Sequence, residues 1–80
     1  MDAIDEILAT LWDPLKVGTE PQAVADLYGQ AGRVVAEMLE RGTTAAQLAS
    51  YLGRAANGLG EPTDVDACMS AAAALLALRR

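Results

Sequence analysis

Histidine and phenylalanine are absent from this chain of 80 residues, and cysteine occurs once, as Cys68. Without histidine, the commonest general base near neutral pH and the commonest transition-metal ligand are both missing. Most hydrolase and metalloenzyme designs fail on that ground, and no cofactor is expected. A lone cysteine cannot close an internal disulfide, which points to a reducing, cytoplasmic setting. No uncharged stretch exceeds the 12 residues of Ala67–Leu78, whereas a helix crossing a bilayer takes about 20, so no membrane span is expected. Asp2, Asp5 and Glu6 put acids where a secretory leader carries bases, and export by that route is not expected. Six cations against 11 acids leave a net charge of −5. With no basic stripe to neutralise phosphates, nucleic acid is a poor partner.

What is present is alanine and leucine, within a chain that is 52% hydrophobic. The length suits one helical domain over residues 1–80, at a size where a single core leaves a small net stability. Ile4, Ile7, Leu8 and Leu11 fall on one helical stripe while Asp5 and Glu6 face away, which predicts a helix over 2–12 capped by Asp2. Pro14 disfavours helical geometry at Asp13 and stops it. Residues 13–20 then make a short, semi-ordered connection that folds Leu15 and Val17 back over the core.

Pro21 suits a first helical turn, and Val24, Leu27, Tyr28, Ala31, Val35, Met38 and Leu39 keep the helical period to a stop at Gly42, giving a helix over 21–41. Ala25, Gly29, Gly32 and Ala36 form a smooth strip beside that stripe, where another backbone can approach closely. Thr44 and Gln47 fit a capping box ahead of Leu48, Tyr51, Leu52, Ala55 and Ala56. The third helix is therefore expected over 45–57, with Asn57–Gly58 as its left-handed end. Thr63 or Asp64 caps a fourth helix over 64–78, and Arg79 and Arg80 complement its negative C-terminal pole. The expected fold class is all-α, a compact four-helix bundle of orthogonal or up-and-down arrangement.

The fourth helix stands out. Val65, Cys68, Met69, Ala72, Leu75 and Leu76 make a core stripe, yet the reverse side reads Ala67, Ala71, Ala74 and Leu78 without a charge. A helix apolar all round is usually buried all round, which a chain this short can hardly achieve alone. Either a second surface covers the outer strip, or alanine stands there simply as a good helix former.

The run Trp12-Asp13-Pro14-Leu15-Lys16-Val17, then Tyr28, then Met38-Leu39-Glu40-Arg41-Gly42 and the pair Tyr51-Leu52, resembles a family of short bacterial helical proteins classed as a domain of unknown function. In that family a Trp-Asp-Pro-Ile/Leu-Gly-Val segment precedes an acidic stretch with two tyrosines, a Leu-Leu-x-x-Gly helix end and a Tyr-Leu pair. This chain carries Lys16 where the pattern prefers glycine, and Leu27 and Ala31 where a second acid and a second tyrosine stand. The resemblance spans roughly residues 4–60. It implies a small all-helical fold and supplies no reaction, cofactor or partner.

No residue set specifies catalysis. Cys68 lies among apolar residues, without the cation or base that activates a thiol, and reads as a buried thiol. Asp64-Val65-Asp66 lacks the ligand alternation, central glycine and closing glutamate of a calcium loop. Gly58-Leu59-Gly60 lacks the Lys-Ser/Thr of a phosphate loop. Trp12 either seals the core or projects as a binding anchor, and Asp13 either caps a turn or meets a partner. Tyr28 and Tyr51 are expected to bury their rings and direct their hydroxyls to a polar edge such as Asp26 or Arg54. The expected function is a non-enzymatic interaction or self-associating module using Ala67, Ala71, Ala74 and Leu78 on the outer face of the fourth helix, with Trp12 and Asp13 as further contacts. A second reading is an inhibitor or immunity-type protein whose acidic surface masks a basic partner. A third is a binder of small apolar molecules near Trp12, Tyr28 and Tyr51.

Overall fold

The computed structural model describes residues 2–79 and is all-α, with no strand among them. The first helix has an α part, α1 (Ala3–Ile7), that continues as a π-helical turn over Leu8–Trp12; α2 (Pro21–Glu40), α3 (Ala45–Gly58) and α4 (Val65–Ala77) follow. This is the four-helix bundle that the periodicity predicts. Asp2 caps α1 by accepting from the Asp5 N–H at 2.8 Å, and the Thr44–Gln47 capping box is complete. Asp64, rather than Thr63, caps α4 by accepting from the Ala67 N–H at 3.1 Å.

Two departures from the expected elements have local causes. The helix over 2–12 changes type midway. The Thr10 hydroxyl donates to the Glu6 carbonyl, competing for the acceptor that the regular ladder would use, and the Asp13 N–H closes the wider turn on the Leu8 carbonyl at 2.8 Å. The end of α3 also lies beyond the expected Asn57–Gly58. Gly58 is still helical, and Gly60, at φ +85, is the left-handed residue. There the Glu61 N–H bonds the Ala56 carbonyl and the Gly60 N–H bonds the Asn57 carbonyl, the paired closure that a residue without Cβ permits.

The buried residues form one cluster fed by every helix: Leu8 and Trp12, then Val24, Tyr28, Val35 and Leu39, then Leu48, Leu52 and Ala56, then Cys68, Ala71, Ala72 and Leu75. The α3 helix packs most extensively on α4, and the π turn lies against the same helix. Between them they cover a wide arc of α4. The predicted small-residue strip of α2 does admit a close neighbour. At Gly32 an added Cβ would come within 3.0 Å of the Asp5 carboxylate, so α1 crosses α2 there, while Ala25, Gly29 and Ala36 line the open groove beside it.

Candidate functional site

The Trp12–Val17 segment is held from within. Asp13 sits in the left-handed region, φ 30, at the end of the π turn, which turns its carboxylate back over the loop that follows. One oxygen accepts from the Val17 N–H and from the Tyr28 hydroxyl, each at 2.8 Å; the other accepts from the Gly18 N–H at 3.0 Å. The Tyr28 hydroxyl in turn accepts from the Leu15 N–H at 2.9 Å. Residues 13–18 are therefore bonded at nearly every turn, more firmly than a semi-ordered connection. A Cβ at Gly18 would lie 2.2 Å from the Ala9 carbonyl oxygen, so only glycine lets this loop sit on the π turn.

Trp12 and Asp13 are thereby taken out of the candidate contact set. Trp12 is 5% exposed and its ring lies 5.0 Å from that of Tyr28 at 54°, the tilted pairing favoured by aromatic quadrupoles. Tyr28 has no exposed surface, and its hydroxyl goes to Asp13 instead of the predicted Asp26 or Arg54. The Tyr28 phenol is pushed well above its ordinary range, chiefly by burial; the Asp13 carboxylate adds to this and the Leu15 N–H opposes it. Tyr51 is half-buried, its phenol raised by burial and eased by the nearby Arg54 guanidinium.

Cys68 is buried, as its apolar neighbours imply. Burial first, then the Asp64 carboxylate, push its thiol up, which keeps it protonated and unreactive. The Trp12 indole N–H lies near enough to oppose that shift, yet it forms no hydrogen bond and is an unpaired buried donor. Among the described residues no group of three or more cysteine, aspartate or glutamate side chains could hold a metal ion, and no helix is long and apolar enough to cross a membrane.

The outer strip predicted for the fourth helix is corrected by its packing. Ala71 has no exposed surface, Ala67 and Ala74 are half-buried, and of the four only Leu78 is exposed, with 44% of its surface in water. Of the stripe predicted for the core, Cys68, Ala72 and Leu75 are buried and Leu76 is half-buried, whereas Val65 and Met69 are exposed. The helix is turned about its axis relative to the expected facing. The reason lies in the α3 and π-turn contacts, which centre the buried side on Cys68, Ala71, Ala72 and Leu75 and so draw Ala71 inward; alanines on both flanks of the stripe leave that partial rotation unspecified by the pattern. The solvent side then carries Val65, Met69, Ala73 and Ala77, with Asp66 and Ser70 beside them.

Two surface grooves line the α2–α3 seam. One, of about 260 Å³, lies by Trp12, Leu27, Ala31, Tyr51, Ala55 and Leu59 and is open to solvent. Tyr28, predicted to border a ligand space here, lies beneath it in the core. The other, of about 720 Å³, sits at the turn between the helices and includes Arg41 and Arg54. Comparison with known proteins finds no match to a protein-family model, to a curated protein or to a solved structure.

Proposed function

We propose that the chain is a non-enzymatic contact module that associates with a second copy of itself through the solvent side of α4. The observation that carries this reading is the row Val65, Met69, Ala73 and Ala77, spaced four residues apart, in which Val65 leaves 66% and Met69 47% of its surface in water. Burying the part of these side chains still in water contributes about 1 kcal/mol each, a fraction of the value for a fully exposed aliphatic group. The alanines further along let a second helix approach closely, and a two-fold axis sets the same row of two copies face to face. Leu78, on another flank, adds an exposed apolar group at the end of the helix. The free, buried thiol of Cys68 supports a reducing cytoplasmic location, and the resemblance of the Trp12–Val17 segment supports a bacterial source.

Light scattering across a concentration series tests this. The expected result is a dimer that Val65→Glu with Met69→Glu converts to a monomer without loss of helical circular dichroism. A strict monomer at millimolar concentration would remove self-association. Asp64 and Asp66 stand exposed on either side of Val65 and favour a second reading, the masking of a basic partner. That version requires binding that weakens with salt.

A further inference from the structure

We infer that the groove at the α2–α3 turn binds a small, multiply charged oxyanion, one carrying phosphate or carboxylate groups. Arg41 directly follows α2 and Arg54 lies in α3, and both line a shallow, open groove of about 720 Å³ together with Met38, Thr43, Gln47 and Ser50. Arg79 reaches the same rim from beyond α4: its guanidinium lies 3.9 Å from where a side chain on Gly42 would begin. In a chain with net charge −5, two cations thus line one shallow groove and a third, Arg79, lies at its Gly42 edge.

The donors there are available. Arg41 gives one amine to Glu37 at 2.6 Å, an exposed pair of little strength, and no ion pair with a described residue engages Arg54 or Arg79. Guanidinium forks meet carboxylate and phosphate oxygens two at a time, and like charges gathered in a groove raise the local concentration of anions. Thr44 and Gln47 cap each other, so side chains, and not the start of α3, carry the recognition. The groove includes neither Val65 nor Met69, and its occupancy is measurable whether or not the chain dimerises.

The test is an amide NMR titration of the full chain with inorganic pyrophosphate and, separately, with citrate, at constant ionic strength held by sodium chloride. Saturable shifts at Gly42, Thr43, Ala46 and Gln47 are expected. Pyrophosphate alone acting assigns the site to phosphate compounds, citrate alone to carboxylates, and both to either class. Arg41→Gln with Arg54→Gln should weaken binding about tenfold or more, the effect of losing charge-assisted hydrogen bonds, while Arg33→Gln, beside the α1–α2 groove, leaves it unchanged. The absence of saturable shifts with either anion overturns the inference. So does equal binding by the double variant in a spectrum that shows it folded, or an equal loss in Arg33→Gln.

Discussion

The Tyr28 hydroxyl donates to Asp13 Oδ1 at 2.8 Å and accepts from the Leu15 N–H at 2.9 Å, so one phenol in α2 fastens the start and the middle of the turn that follows Trp12. With the Val17 and Gly18 amides on the same carboxylate, the segment gains its order from side chains, not from a regular backbone ladder.

Asp13→Ala strands three donors at once, two of them backbone amides, and should lower unfolding stability by about 3 kcal/mol. Tyr28→Phe leaves the Leu15 N–H unpaired and should cost about 1–2 kcal/mol. Urea midpoints of both single variants and the double variant form a cycle; purely additive losses would show that the two side chains do not act as one unit.

Alkaline pH attacks the same contact. An unfolded tyrosine ionises near 10.0, whereas the buried Tyr28 phenol holds its proton to higher pH. Above about pH 10 the unfolded state therefore binds fewer protons than the folded one, and stability falls as pH rises. Tyr28→Phe should flatten that fall. Tyr51→Phe should do the same to a smaller extent, because Arg54 opposes the burial of its phenol. Urea midpoints measured from neutral pH to about pH 11 give the comparison; equal slopes in wild type and Tyr28→Phe would contradict it.

Two neighbouring positions should respond in opposite directions. Lys16 holds φ 58, a left-handed conformation that costs a side chain about 1 kcal/mol, so Lys16→Gly is expected to raise the melting temperature or leave it level. Gly18→Ala, with its Cβ aimed at the Ala9 carbonyl 2.2 Å away, should destabilise by about 2 kcal/mol or more. Differential scanning calorimetry of the pair reads both signs.

Because Cys68 is 2% exposed and its thiol is raised by burial, alkylation under native conditions should proceed only as fast as the fold opens. Rates that rise with urea in step with unfolding are expected. Prompt labelling in buffer alone would mean that the space around the thiol opens readily.

The sequence by itself determined the helices and most of their ends, since Asp2, Pro21, the Thr44–Gln47 box and Gly42 act through neighbours within a few residues. It also made Cys68 a buried thiol. It could not assign the Asp13–Tyr28 bond, which joins residues 15 apart in sequence, because Asp26 and Arg54 were equally compatible partners for that hydroxyl until α2 was docked under the loop. It oriented α4 only in part: Cys68, Ala72 and Leu75 go inward as their spacing predicts, but with alanine on both flanks of that stripe the exact facing was open, and only contact with α3 and the π turn decided that Ala71 goes inward while Val65 and Met69 stay in water. The arginine groove was invisible for a related reason: Arg41, Arg54 and Arg79 lie far apart in sequence, and only the chain reversal at Gly42 and the return of α4 bring them to one rim.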